Sequence, residues 1–74
     1  MHEHIKEERK KELKNKLREF RIIPRMSQWK LALDSDVKQS RISLIENLLV
    51  KPTMREKIKL SEALNKKLEE VFPA

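Results

Sequence analysis

The sequence contains no cysteine, which excludes disulfides, thiolate zinc sites and cysteine nucleophiles. It contains no glycine either, so the glycine-rich phosphate loops of nucleotide-binding proteins are excluded. Aromatic residues make up 4% of the 74 residues, and no apolar run approaches the roughly 20 residues that cross a bilayer. The opening Met-His-Glu-His does not resemble a secretory signal. These absences leave a small binding module, which we expect to be cytoplasmic and without contact to a membrane.

Charge, by contrast, is abundant. Charged residues form 41% of the chain, and 18 Lys and Arg against 12 Asp and Glu give a formal net charge of +6. The excess is spread along the chain and does not form a basic tail. A polyanionic partner such as nucleic acid is one explanation of this balance. The other is that a small helical protein with many Lys–Glu pairs is simply well solvated.

Apolar residues recur at helical spacing along most of the chain. Leu13, Leu17 and Phe20 predict the buried side of a first helix, which Pro24 ends because it lacks an amide hydrogen. Residues 1–12 have good helix formers but few apolar residues. We expect a charged N-terminal helical extension over 1–12, continuous with the first helix, and a folded domain over 13–74.

The middle of the chain predicts two short helices joined by a tight turn. Ser27 is a favourable N-cap for a helix over 28–35. Asp36 tolerates a left-handed conformation and can therefore make a turn without glycine. A third helix is predicted over 38–47, and the apolar side chains expected in the core of this region are Leu31, Ala32, Val37, Ile42 and Ile45.

Two more helices complete the predicted domain. Thr53 and Glu56 have the spacing of a capping box, which predicts a fourth helix through Leu64. Its expected buried stripe is Met54, Ile58 and Leu64, with Leu60 and Ala63 beside it. A short fifth helix carries Leu68, Val71 and Phe72 and ends at Pro73. No segment alternates like a strand, so the expected fold is all-α with five helices.

Residues 27–47 predict a helix-turn-helix, in which the second helix of the pair enters the DNA major groove. On a helical wheel, Ser40, Ser43, Leu44 and Asn47 lie opposite Ile42 and Ile45. This outward face has short polar side chains, one leucine and no acid, so it could approach base edges closely.

The chain resembles the phage-repressor and Cro-like (XRE-type) helix-turn-helix domains over residues 17–72. The matching positions are Leu17-Arg-Glu-Phe-Arg21, Met26-Ser-Gln28, Leu31-Ala32, Val37, Ile42-Ser43, Ile45-Glu46-Asn47, Pro52 and Ala63-Leu64. Two positions depart from the family, since Asp36 and Leu48 stand where it usually has glycine. The resemblance implies a compact lambda-repressor-like domain with an extended first helix. It also implies a prokaryotic, phage or plasmid transcription regulator of the repressor type, located at the nucleoid.

The resemblance further implies individual roles. Gln28 would contact a phosphate and brace Gln39. The base-contacting residues would be Gln39, Ser40, Arg41 and Leu44. The phosphate-contacting residues would be Gln28, Lys38, Ser43, Asn47, Lys51, Thr53 and Arg55. Arg21 and Glu46 would form a structural ion pair between the first and third helices.

The chemistry of these side chains agrees with those roles. A glutamine amide can bond two atoms of adenine, an arginine can do so to guanine, and Leu44 can contact a thymine methyl group. The alternatives are that Gln28 and Gln39 are ordinary solvated residues, that Arg41 is a solvated flank of the helix, and that Leu44 belongs to a packing surface.

Trp29 and the two N-terminal histidines need separate interpretations. Trp29 and Leu33 share a helix face that the family usually leaves polar, so Trp29 could fill an edge of the core, contact a partner chain or lie against the DNA backbone. His2 and His4 fall on different sides of a helix, whereas metal ligands on a helix prefer a spacing of four. We therefore expect no metal, no cofactor and no small-molecule ligand.

The leading hypothesis is a sequence-specific regulator that binds double-stranded DNA as a homodimer. No set of residues suggests catalysis, and the few aromatic residues argue against RNA. The alternative is a protein-interaction module, antitoxin-like or adaptor, which uses the same fold to bind a protein partner with weak or no DNA binding. Trp29, Leu33 and the apolar residues 48–50 motivate this alternative.

Overall fold

The computed structural model describes residues 14–73, and this part of the chain forms five helices and no strand. In chain order they are α1 (Leu17–Ile22), α2 (Gln28–Ser35), α3 (Gln39–Glu46), α4 (Met54–Ala63) and α5 (Leu68–Val71). The all-helical class and the number of helices agree with the prediction. The predicted extension over 1–12 and the apolar Leu13 lie outside the described residues.

The start of α1 differs from the prediction. We expected a helix continuous with the extension, but residues 14–16 are not helical and α1 begins at Leu17. The Asn15 side chain explains this start, because its Oδ1 accepts a hydrogen bond from the Leu17 amide at 3.0 Å and its Nδ2 donates to the Ile45 carbonyl at 3.1 Å. The Lys16 amide also donates to the Val71 carbonyl at 2.8 Å. Contacts with α3 and α5 therefore set where α1 begins.

Within residues 14–73, four non-glycine residues adopt the left-handed conformation that usually favours glycine. They are Arg25, Asp36, Leu48 and Asn65, with φ between 58° and 59°. Asp36 confirms the predicted turn, and Leu48 lies at the second position where the resembled family has glycine. Each follows the end of a helix, where a left-handed residue lets the next amides bond the last carbonyls. The hydrogen bonds from Met26 to Arg21, Leu49 to Leu44 and Lys66 to Ser61 repeat this pattern after α1, α3 and α4.

The predicted N-caps of α2 and α4 are confirmed. Ser27 accepts a hydrogen bond from the Lys30 amide at 2.9 Å. Thr53 accepts from the Glu56 amide at 3.1 Å, while the Thr53 amide donates to the Glu56 carboxylate at 2.9 Å, which completes the capping box. Such caps satisfy amide groups that have no partner inside the helix. The helices on both sides of α3 therefore begin at positions that local hydrogen bonds fix.

The core lies where all five helices meet. Its buried apolar residues are Leu17, Leu31, Val37, Ile42, Ile45, Leu60, Leu64, Val71 and Phe72. The predicted stripe of α4 is wrong at two of its three positions, since Met54 is 60% exposed and Ile58 is 43% exposed, while Leu64 is buried as expected. The face of α4 that carries Leu60 and Leu64 packs inward, and at 100° per residue Met54 and Ile58 lie away from it.

The order of packing places α2 and α3 against the other helices. α2 packs against both α3 and α4, α1 against α3, and α4 against α5. As a result, α3 is held from behind while its opposite side faces solvent. Among residues 14–73, no helix is both long and apolar enough to cross a membrane.

The two buried serines provide a stability prediction. The Ser61 hydroxyl is buried and has no hydrogen-bond partner in the described part of the chain, whereas the Ser35 hydroxyl accepts from the Val37 amide at 3.2 Å. Because an unpaired buried hydroxyl is costly and alanine is a better helix former, Ser61→Ala should raise the free energy of unfolding by about 1 kcal/mol. Ser35→Ala should lower it by a similar amount. Thermal and urea unfolding of both variants would measure this, and a loss of stability in Ser61→Ala would contradict the prediction.

Candidate nucleic-acid interface

The turn between α2 and α3 consists of three residues, 36–38. Asp36 has the left-handed conformation that reverses the chain, and Val37 then inserts into the core with 6% of its surface exposed. The Val37 amide donates to the Ser35 hydroxyl, so the backbone of the turn is also fixed by a hydrogen bond. A buried apolar residue and a buried hydroxyl together hold the start of α3 against the end of α2.

The side of α3 opposite the core carries the predicted contact residues. Ile42 and Ile45 are completely buried, whereas Gln39, Ser40 and Asn47 are exposed. Ser43 and Leu44 are half-buried and belong to the same outward side. The structure therefore brings these short polar side chains and one leucine onto one accessible face.

The N-terminus of α3 is electrostatically positive. α3 has no side-chain cap at Lys38 and no acidic residue in its first turn. Backbone amides at such a helix start carry partial positive charge and attract anions. The exposed Lys38 adds a full charge at the same end, so this end of the helix suits a phosphate group.

Glu46 is the centre of a buried polar cluster behind α3. Its side chain is 2% exposed, and Arg21 bonds it through Nε at 2.6 Å and Nη2 at 3.0 Å. Arg21 also donates to the Met26 carbonyl at 2.7 Å. The hydrogen bond to Glu46 raises the pKa of Arg21 above its usual range, so the guanidinium stays charged. The expected ion pair between the first and third helices is present.

Gln28 belongs to this cluster. Its Nε2 donates to Glu46 Oε1 at 3.1 Å, so its amide braces Glu46 and not Gln39 as we expected. The difference arises because each oxygen of a buried carboxylate can accept more than one hydrogen bond, and Gln28 donates to the same Oε1 that Arg21 Nη2 contacts. Three helices, α1, α2 and α3, thus converge on one carboxylate.

Arg41 is also engaged within the protein. Its Nε and Nη2 each donate to the Glu56 carboxylate at 2.8 Å, in a two-point ion pair between α3 and α4. The Arg41 side chain is 33% exposed and that of Glu56 is 16% exposed. The hydrogen bonds from Arg41 lower the pKa of Glu56 to about 2. This geometry favours a structural role for Arg41, which the sequence suggested as a base contact.

An open cleft of about 320 Å³ separates α3 from α4 next to this ion pair. Its charged lining residues are Lys38, Arg41, Arg55, Lys59, Asp36 and Glu56. Glu56 neutralises Arg41, and Lys59 lies 3.5 Å from Asp36. Lys38 and Arg55 have no ion-pair partner among the described residues, so the cleft has an excess of positive charge.

The remaining predicted phosphate contacts lie around the loop between α3 and α4. Lys51 and Thr53 are exposed, although the Thr53 hydroxyl also caps α4. Asn47 donates from Nδ2 to the Ser43 carbonyl at 2.9 Å, which fixes its side chain along the last turn of α3. These groups lie at the end of α3 and in the loop that follows it.

Trp29 does not fill an edge of the core, which was one of three interpretations. It is 62% exposed, and Leu33 is 64% exposed. A partner chain and the DNA backbone remain as the other two. Residues 14–73 contain no cluster of three His, Asp or Glu side chains that could hold a metal ion, and His2 and His4 lie outside the described residues.

The Arg41–Glu56 pair predicts a pH dependence. Because the pKa of Glu56 in the folded chain is about 2, below its ordinary value of 4.5, its stabilising effect is complete above pH 4.5 and is lost as the pH falls towards 2. Glu56→Gln keeps an oxygen for the Thr53 amide but removes the charge. The wild type should exceed this variant by about 1 kcal/mol in unfolding free energy at pH 6, and the difference should shrink below pH 4.5. Urea unfolding from about pH 7 to about pH 2.5 measures it, and a difference that does not change with pH would refute the assignment.

Comparisons with known proteins assign neither a family nor a function to this chain. No family model matches the chain, no curated protein matches it, and no solved structure matches it. The function is therefore argued from the residues and contacts described above.

Proposed function

We propose that this chain is a sequence-specific, double-stranded DNA-binding transcription regulator of the repressor type. The observation that carries the proposal is the outward face of α3, which is accessible and free of acidic side chains, while the acid behind it, Glu46, is buried against Arg21. A polyanion approaching this face meets no repulsion from α3 and finds a positive helix start. The resemblance to phage-repressor and Cro-like domains supports the same function.

The dimensions of α3 suit the major groove. An α-helix with its side chains is about 10–12 Å in diameter, and the major groove of B-DNA is about 12 Å wide. Serine and asparagine side chains are short, so the helix axis can approach the base edges. Ser40 and Leu44 lie at the middle of the outward face, where a groove would be deepest.

Gln39, Ser40 and Leu44 are the proposed base-reading residues. Gln39 can bond N6 and N7 of adenine, Ser40 can donate or accept, and Leu44 can contact a thymine methyl group. Arg41 could read guanine only if it released Glu56, which would leave a carboxylate unpaired beside the DNA. The proposal therefore gives Arg41 a supporting role and not a primary one.

Phosphate contacts would fix the position of α3 along the groove. The groups proposed for this purpose are Gln28, Lys38, Ser43, Asn47, Lys51, Thr53 and Arg55. Lys38, Lys51 and Arg55 are the strongest of these, because their charges are not neutralised within the described part of the chain. The overall charge of +6 favours approach to DNA from a distance.

A single helix-turn-helix contacts few base pairs, so the proposal includes a homodimer on a palindromic site. Two copies would read half-sites about 34 Å apart along one side of the duplex. This function would place the protein at the nucleoid of a prokaryotic cell.

The second candidate is a protein-interaction module. The exposed Trp29 and Leu33 favour it, because large apolar side chains on one helix face are typical of protein contacts. Under this hypothesis, binding to the partner would be insensitive to salt and to changes at Gln39 and Ser40.

Removing the Gln39 amide should change sequence preference at one position. We expect Gln39→Ala to lose about 1–3 kcal/mol of discrimination at a single base pair of each half-site, because alanine cannot bond adenine. Selection of bound duplexes from a random pool gives the preference of each variant, with Glu62→Ala, a change on the exposed part of α4, as control. Identical preferences for wild type and Gln39→Ala would rule out this readout.

Removing the Lys51 charge should weaken binding to all sequences alike. A phosphate contact releases counterions from the DNA. Lys51→Ala should therefore make the fall of the logarithm of the association constant with the logarithm of salt concentration less steep, by about one unit for each copy bound. Lys67→Ala removes an exposed lysine at the start of α5 and should leave the slope unchanged. Equal slopes for wild type and Lys51→Ala would show that Lys51 makes no phosphate contact.

A further inference from the structure

The outward side of α2 carries two large apolar side chains that the fold does not cover. Trp29 and Leu33 are one helical turn apart and are 62% and 64% exposed. They lie opposite Leu31, which is completely buried. Exposed apolar side chains that form a pair on one helix face mark an interaction surface more often than isolated ones do.

This surface includes a place for a bulky side chain. An open cleft of about 290 Å³ lies beside the two residues, between the end of α2 and the start of α3. Its lining residues are Trp29, Ala32, Leu33, Asp36, Val37, Lys38 and Gln39. We call Trp29, Leu33 and this cleft the α2 surface.

Charges beside the α2 surface have a definite order. Lys30 lies nearer the N-terminus of α2 and Asp34 nearer the C-terminus, and the two side chains are paired at 3.0 Å. This flank of the surface therefore has a base towards the start of the helix and an acid towards its end.

We propose that the α2 surface binds the same surface of a second copy of this chain, with the two α2 helices antiparallel. A twofold axis that crosses the helices at the level of Leu31 places Trp29 of each copy beside Leu33 of the other. Helical side chains lean towards the N-terminus of their own helix, so each Trp29 points towards the cleft at the end of the opposite α2. The antiparallel arrangement also opposes the two helix dipoles.

The order of these charges along α2 favours a second copy of this chain over another partner at the α2 surface. In antiparallel pairing, Lys30 of one copy lies near Asp34 of the other, so two attractive pairs form beside the apolar centre. Another exposed apolar pair, Met54 and Ile58 on α4, lies among three basic residues, Arg55, Lys57 and Lys59, with Glu62 one turn beyond Ile58. Antiparallel self-pairing of α4 would place these basic residues of the two copies against each other.

This inference names the surface for the homodimer of the proposed function, but it does not depend on DNA binding. One helix pair buries less surface than a standard interface, so the association should be weak, with a dissociation constant on the order of micromolar or higher. Self-association is measured without DNA, and duplex binding is measured separately, so the two proposals can fail independently.

Trp29 is the sole tryptophan of the sequence and therefore reports on its own environment. Sedimentation of the full chain should show reversible dimers as concentration rises, and the Trp29 emission should shift to shorter wavelength over the same range. Leu33→Glu should weaken the dimer at least about tenfold, because it places a charge at the apolar centre. Ile58→Glu is the matched control, with a similar substitution on the other exposed pair, and should leave association unchanged.

A charge exchange tests the antiparallel arrangement itself. Lys30→Glu and Asp34→Lys should each weaken self-association, since two identical copies then repel on that side. An equimolar mixture of the two variants should associate as strongly as the wild type. In the mixed dimer, the carboxylate introduced at position 30 of one chain opposes the ammonium group introduced at position 34 of the other. Circular dichroism of each variant would verify that the fold is retained.

Four results would overturn the proposal. The first is a chain that remains monomeric at millimolar concentration, and the second is a dimer that Ile58→Glu disrupts and Leu33→Glu does not. The third is a mixture of the two charge variants that associates no better than either alone. The fourth is a Trp29 emission that shifts only when duplex DNA is added, which would assign Trp29 to the DNA backbone.

Discussion

The fold of this chain depends on the buried carboxylate of Glu46. Arg21 from α1 and Gln28 from α2 both bond it, and the carboxylate itself projects from the last turn of α3. A negative charge at the C-terminal end of a helix is unfavourable by itself, so these donors are needed for α3 to end there. Removing one partner of a buried pair typically costs about 3–5 kcal/mol, which is a large part of the stability of a domain this small. The orientation of α3 against the other helices is therefore tied to the interaction that keeps its acid buried.

The absence of glycine gives this fold a particular kind of turn. Arg25, Asp36, Leu48 and Asn65 each adopt a left-handed backbone that costs about 1 kcal/mol or more for a residue with a Cβ atom. Hydrogen bonds to the preceding helix offset this cost in each case. In return, the unfolded chain has fewer conformations than one with glycines would have, which reduces the entropy lost on folding. The same helix geometry is thus reached with more strain in the native state and less disorder in the unfolded state.

Local signals predicted most of the fold, and contacts between distant residues account for the differences. Ser27, Asp36 and the Thr53–Glu56 capping box act within a few residues, so the sequence alone located α2, the turn and α4. The start of α1 could not be located in this way, because Asn15 bonds the carbonyl of Ile45, thirty residues away. Apolar spacing placed Met54 and Ile58 in the buried stripe of α4 and Leu60 beside it, whereas packing against α2 and α5 buries the face of Leu60. For the site, the family pattern suggested the Arg21–Glu46 pair, but it gave no sign that Glu56 would hold Arg41.

Two ion pairs determine which charged side chains near α3 remain available to a ligand. Arg21 is bonded to Glu46 and Arg41 to Glu56, so these two arginines are engaged within the protein. The same pairs neutralise both acids near α3. The uncompensated charges near α3 are then cationic. Uncovered apolar side chains lie at both ends of α3, with Trp29 and Leu33 of α2 near its first turn and Leu49 in the loop that follows it. The charged surface and the α2 surface meet at Lys38 and Gln39, which line the cleft beside Trp29 and also begin α3. A molecule bound to the α2 surface would therefore contact the first turn of the proposed reading helix, so the two proposed surfaces are adjacent and the turn at 36–38 connects them.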